Sequence, residues 1–390
     1  MRAVCALLLA LAPLAAPAQT PAVVVGAVVS QTGDLAQLAS GFRNGLLLWQ
    51  EEVNRAGGLL GRHVELRLYD DASEAARAGT LYEQLVRADK ADVLFGPFGS
   101  AATLTAAAVA ERERRVMLNA TGATLSVLNA GHRYVFQVAA PYAAYGETLL
   151  GLLRAVAYRR LYVLVRDDPA SHDMAQRFVE RASRYGLAAG EAHVLPQGAQ
   201  DFAAVVAAAR DSAAEALIAF GGETDAAQLV KAMKRQRYAP RFFFARGASD
   251  PRFVRDVGQD AEFAMDASPY MPDFATAGNG LFVKAYRARW QAPPDLAAAQ
   301  AYAAGQVLEK AVRDAGSLEQ ERLRAALAAL ETGTVLGGYR IDAETGEQLA
   351  AAPPVVQIIV GRPEVVWPRD RASERWELPY PRWDERKPIE

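Results

Sequence analysis

Val93-Leu94-Phe95-Gly96-Pro97-Phe98-Gly99-Ser100, followed by the alanine-rich run Ala101 to Val109, is an apolar strand that breaks at a Gly-Pro turn and a helix that opens on a polar residue. The first backbone N–H groups of such a helix have no partner within it, so the junction attracts an anion. Ser100 stands at the cap position, where its hydroxyl either closes on the backbone or meets a carboxylate. Other strand-to-helix junctions along the chain also carry small, polar or charged residues at the strand's carboxyl end. Open α/β sheets bind their ligands at that edge.

The chain has 390 residues, 51% hydrophobic and 23% charged, which is globular and enough for about two domains. The net charge is −2, and no run of basic residues exceeds a few, so composition gives no case for nucleic acid or an anionic membrane. Arg2, the apolar stretch Ala3 to Ala12 and the small residues Ala16-Pro17-Ala18 read as a secretory signal peptide cleaved near Ala18. The expected destination is the periplasm. Cys5, the single cysteine, leaves with that segment, which excludes disulfides, thiol catalysis, cysteine-bound metal and lipid attachment there. No later apolar run is long enough to insert in a membrane.

Outward from the opening stretch, β–α units recur on both sides. Val23 to Val29, Val64 to Tyr69, Asp92 to Phe95 and Val116 to Leu118 are expected strands, each followed by a helical pattern, and Tyr134 to Val138 is a fifth. A second series repeats the plan with Leu161 to Val165, His193 to Leu195, Leu217 to Phe220 and Arg241 to Phe244. The expected fold is α/β, two doubly wound parallel-sheet lobes joined by three crossovers. Helices at 280–290, 296–315 and 323–330 lack nearby strands and are expected to return to the first lobe. That gives a first lobe of 19–139 plus 268–336, a second of 140–267 plus 337–363, and a surface tail at 364–390.

The motifs, in this order, resemble those of the type I periplasmic solute-binding proteins of the leucine/isoleucine/valine-binding kind, which serve ABC importers of branched-chain amino acids, amides and aromatic acids. They are Thr32-Gly33-Asp34-Leu35-Ala36, Asn54-Arg55-Ala56-Gly57-Gly58-Leu59-Leu60-Gly61-Arg62, Tyr69-Asp70-Asp71-Ala72-Ser73, Gly96-Pro97 with Gly99-Ser100, Gly122-Ala123-Thr124, Gly221-Gly222 and Ala301-Tyr302-Ala303-Ala304. The resemblance implies a cleft that closes on one small ligand and delivers it to a membrane permease, without a cofactor or metal. Its carboxylate and part of its ammonium would meet Gly99 and Ser100 together with Ala120, Thr121, Gly122, Ala123 and Thr124, and the second lobe would add the loops at Asp168 to Ser171, Glu223 and Arg246.

Departures from the family pattern concern the ligand's other end. Leu38 stands where an aromatic is usual, and Ala170 or Ser171 where a tyrosine is. Arg246 stands where an acid would meet an ammonium, and a buried arginine facing an ammonium costs several kcal/mol. Three readings stay open: Glu223 takes the ammonium and pairs with Arg246; the ligand is a carboxylate without an ammonium, held by Ser100, Thr124 and Arg246; or Glu223 and Arg246 merely brace the open lobe.

Catalysis is not expected. No Gly-x-Ser-x-Gly elbow, dinucleotide fingerprint or phosphate loop occurs. His63, His132, His172 and His193 are scattered singly, and of these His172 alone falls in a cleft loop. The different-class alternative is a receptor that uses the same closure to signal to a membrane partner.

Overall fold

The computed structural model describes residues 21–196, 198–199 and 201–386. The expected signal peptide and its cleavage site lie outside the described residues. The first sheet is built from β1 (Val23–Val29), α1 (Ala36–Arg55), β2 (Val64–Asp70), α2 (Ala75–Arg87), β3 (Val93–Phe95), α3 (Ser100–Arg112), β4 (Met117–Asn119), α4 (Leu125–Leu128) and β5 (Val135–Gln137). The chain then passes through a 3-10 turn, Tyr142–Gly146, into α5 (Glu147–Ala155), β6 (Leu161–Arg166), α6 (Pro169–Ala182), β7 (His193–Leu195), α7 (Ala203–Asp211), β8 (Ala216–Phe220), α8 (Glu223–Arg235), β9 (Phe242–Ala245), α9 (Pro251–Val257) and β10 (Met265–Ala267). It returns to the first sheet with α10 (Asn279–Trp290), α11 (Leu296–Ala315) and α12 (Gln320–Ala329). A small hairpin, β11 (Thr332–Thr334) and β12 (Gly337–Tyr339), precedes β13 (Val355–Ile359) and β14 (Arg362–Trp367).

Strand order in the first sheet is β2-β1-β3-β4-β5, and all its pairs are parallel. The second sheet runs β14-β13-β10-β9-β8-β6-β7, and its parallel part repeats the same winding. In each sheet the order reverses beside the first strand of the series, between β1 and β3 and between β6 and β8. Loops leaving those carboxyl ends splay apart and make the crevice where such sheets bind ligands.

Each strand series is apolar because both faces are covered. α1 and α11 press on one face of the first sheet, where Trp49 lies 5.1 Å from Phe95 and meets α11 at Gly305. In the second sheet Phe220 stacks edge-on with Phe178 at 5.4 Å and Phe244 at 5.9 Å. Burying such a ring contributes about 1.5–3 kcal/mol, so Phe220→Ala would cost roughly 3–5 kcal/mol once the cavity is included.

The end of the chain differs from the expected surface tail. Glu364 to Trp367 belong to β14, which pairs antiparallel with β13, itself antiparallel to β10. Val366 and Tyr380 are buried, and Trp383 donates through Nε1 to the Tyr238 carbonyl at 2.7 Å. The two strands are joined by Val360-Gly361, both at positive φ (51° and 74°), which is the backbone of a tight hairpin turn.

Candidate functional site

The loop after β3 turns on Gly99, whose φ of 88° favours glycine and which leaves open space where a Cβ would be. No side chain caps α3, so the first-turn N–H groups at Ser100, Ala101 and Ala102 stay available. The loop after β4 is fixed beside it by Asn119, which accepts the Gly122 N–H at 2.9 Å and donates to the Gly122 carbonyl at 2.6 Å. A Cβ on Gly122 would stand 2.4 Å from the Thr103 hydroxyl, so the backbone of the loop after β4 packs directly on α3. The Ser100 hydroxyl accepts the Ala123 N–H at 3.3 Å, and the Ala123 carbonyl accepts the Tyr142 N–H at 3.0 Å. Gly99, Ser100 and the segment Ala120 to Thr124 are thus tied into one unit, with Ala120 to Thr124 buried.

Within that unit two expected ligand groups do other work. Thr121 accepts the Gly99 N–H at 2.9 Å and donates to the Pro97 carbonyl at 2.7 Å, so its hydroxyl clamps the two loops together. The Thr124 hydroxyl is 2.9 Å from that of Ser126. Ala120 is fully buried, and Leu38 is half exposed in the first turns of α1.

On the second sheet, Asp168 caps α6 by accepting both the Ser171 N–H (2.9 Å) and the Ser171 hydroxyl (2.8 Å). Ser171 is 2% exposed, so its side chain is spent on the cap rather than offered to a ligand. The Glu223–Arg246 pair does not form. Glu223 pairs with Arg252 at 3.0 Å, and Arg246 Nη1 bonds Asp266 at 3.0 Å. The reason is the sheet: β9 and β10 lie side by side, which brings the residue after β9 against the carboxylate in β10. Asp266 is 1% exposed and also accepts the N–H groups of Gly247, Ser249 and Ala267 and the Ser249 hydroxyl. A buried charge so surrounded needs no further partner.

Arg246 therefore sits fixed, its guanidinium 4.9 Å over the Tyr145 ring, and it is Nη1 that bonds Asp266. Burial pulls its pKa down, but the charge and hydrogen bond of Asp266 together with Tyr145 and Tyr142 raise it by more, and the net shift is upward, so the cation persists. Tyr142 lies beside Tyr145, ring centres 5.9 Å apart. Burial raises the Tyr142 pKa, Arg246 lowers it, and Asp168 and Asp173 raise it, so this hydroxyl stands among charges of both signs. Across the crevice Asp173, from α6, accepts the Leu125 N–H at 2.7 Å. His172 turns to Asp167, 2.9 Å away.

The residues missed by sequence reasoning are Tyr142, Tyr145, Asp173 and Asp266. Asp266 carried a readable sign, a lone acid inside an apolar strand. The tyrosines sit three apart just past the first crossover, on one face of a helical turn. Among the described residues no group of three or more His, Asp or Glu is placed to hold a metal ion, and no helix is long and apolar enough to cross a membrane.

The model of the family described as periplasmic binding protein matches residues 22–359. A leucine-, isoleucine-, valine-, threonine- and alanine-binding protein of Pseudomonas aeruginosa is 23% identical over 314 residues, covering 80% of this chain and 83% of that protein. A putative branched-chain amino acid ABC transporter protein from Silicibacter pomeroyi superposes with a TM-score of 0.83 at 18% identity, over 92% of this chain and 99% of that one. A solute-binding protein of an ABC transporter from R. palustris, solved with benzoate, superposes with a TM-score of 0.71 at 20% identity, over 89% of this chain and 96% of that one.

Proposed function

The chain belongs to the periplasmic binding protein family, and from that premise we propose that it is the solute-binding component of an ABC importer whose cleft takes a small carboxylate lacking an ammonium group. The observation that carries this is Arg246. It is held by Asp266 through Nη1, at the place where an ammonium would otherwise find its acid. On the Arg246 side the acids are engaged: Glu223 by Arg252, Asp168 by Ser171, Asp266 by its ring of donors, while Asp173 holds the Leu125 N–H. An ammonium placed there would face the Arg246 cation, and the acids beside that cation are already bonded.

The ligand's carboxylate would bridge Ser100, the α3 N-terminus and Arg246, and its body would lie on Tyr142. A charge-assisted hydrogen bond of this kind contributes roughly 1.5–3 kcal/mol. Ligand would favour the closed arrangement of the two lobes, and the closed surface would dock on the permease. Export through Met1 to Ala18 and a periplasmic location belong to the same reading. The two ligand classes of the relatives named above, aliphatic amino acids and benzoate, make the test direct. Calorimetry of the chain from Gln19 against benzoate, aliphatic carboxylates and leucine should give binding to the carboxylates, lost in Arg246→Ala. Tight binding of leucine with none of benzoate would overturn the reading.

A further inference from the structure

At the base of the second sheet the fold gathers three arginines that lie apart in the sequence. Arg154 ends α5, Arg159 precedes β6, and Arg184 lies in the 3-10 turn Ser183–Tyr185 after α6. Together with Ala157, Tyr185, Gly186 and Leu187 they line a hollow of about 310 Å³. Its walls are joined by backbone: Ala188 N–H donates to the Arg159 carbonyl at 2.7 Å, and Leu161 N–H to the Ala188 carbonyl at 2.9 Å. Leu187 is buried beneath it.

Ordinarily an arginine near a helix C-terminus bonds the last carbonyls or pairs with an acid. None of these three does either: among the described residues no carboxylate lies within 4.0 Å of the guanidinium of Arg154, Arg159 or Arg184, and none of the three donates to a carbonyl. Their neighbours are paired. Arg160 and Arg241 share Glu215, Arg181 pairs with Glu147, and Glu180, one turn before Arg184, accepts from Gln176 instead. Among these neighbouring arginines, the three around the hollow are the ones with no acid on their guanidinium groups, although Glu215 accepts the Arg159 backbone N–H at 3.0 Å.

We propose that this hollow is a second binding site, for a phosphate group carrying two or more negative charges. Guanidinium forks match phosphate oxygens in pairs, and three cations without internal counter-charges exceed what a monocarboxylate would balance. Such a group fits the volume and would lie against the Tyr185 ring. β6 runs from this end of the sheet to the cleft, so the two sites are about 20 Å apart. The site does not depend on what the cleft binds.

The test uses the mature chain and inorganic pyrophosphate by calorimetry at low salt, beside sedimentation with vesicles of phosphatidylcholine with and without phosphatidic acid. The expected result is binding of pyrophosphate that falls tenfold or more in Arg154→Ala/Arg184→Ala, with the unfolding midpoint unchanged because both side chains are exposed. Binding to phosphatidic acid vesicles alone, lost in the same variant, would identify a lipid headgroup as the source of the phosphate. No binding to either, or equal binding by the variant, would overturn the proposal.

Discussion

The Asp173 carboxylate accepts the Leu125 backbone N–H at 2.7 Å, and this bond ties α6 on the second sheet to the first residue of α4, just beyond the loop that follows β4 on the first. It closes one side of the crevice without ligand. Removing it in Asp173→Ala should shift the free protein toward an open arrangement. A hydrogen bond to a carboxylate contributes about 1.5–3 kcal/mol, so ligand affinity should fall by roughly ten- to a hundredfold. Small-angle scattering of the free protein checks the first effect and calorimetry the second. An unchanged radius of gyration with unchanged affinity would show that the bond follows closure rather than holding it.

Asp173 also gives a pH dependence. Burial raises its pKa, and the Leu125 bond, His172 and Arg177 only partly offset that. The folded state therefore holds the proton to a higher pH than the unfolded chain does. Between the ordinary aspartate value and the raised one, the folded protein binds more protons, so stability from this group is greatest below that window and falls as pH rises through it. Asp173→Asn keeps an oxygen for Leu125 and removes the charge. Urea midpoints measured across the acid range should show the variant gaining on the native chain as pH rises through the window. A difference that does not vary with pH would remove Asp173 from the titration.

Arg246 and Asp266 should respond unequally. Asp266→Ala leaves a partly buried guanidinium without its counter-charge and frees the N–H groups of Gly247, Ser249 and Ala267, a loss of roughly 3–5 kcal/mol. Arg246→Ala leaves Asp266 with its backbone and Ser249 donors, so the fold should lose much less while carboxylate binding disappears. Urea unfolding and calorimetry on both variants separate the two effects. Equal destabilisation by the two substitutions would mean that the pair is a brace and not part of a site.

How far the sequence reveals this site follows from where each requirement is written. Gly99 is legible because its φ of 88° excludes a side chain locally, whereas the contact of Gly122 with Thr103 of α3 arises only in the fold. The Asp168 cap spends Ser171 three residues away, a pattern that was available locally. The partner of Arg246 is not local: Asp266 is 20 residues on and meets it only because β9 and β10 are neighbours. Similarly, β14 is hidden because Val360, a β-branched residue, occupies a positive-φ turn position usually filled by Asn or Gly.

Helices α1 and α11 pack closely in the first core. Gly305, in α11, faces Trp49 of α1 so closely that a Cβ would stand 2.2 Å from the indole ring. Trp49 is buried, lies against Phe95, and donates through Nε1 to Glu309 at 2.8 Å, so it is held on two sides and cannot swing away. Gly305→Ala gains helix propensity of up to about 1 kcal/mol, but overpacking here costs about 1–3 kcal/mol or more, and the clash should win. The urea midpoint should therefore drop in Gly305→Ala, and Trp49→Leu in the same chain should recover part of that loss by opening the space. A Gly305→Ala chain as stable as the native one would mean that α1 and α11 move apart freely, and the rigidity assigned to this core would be wrong.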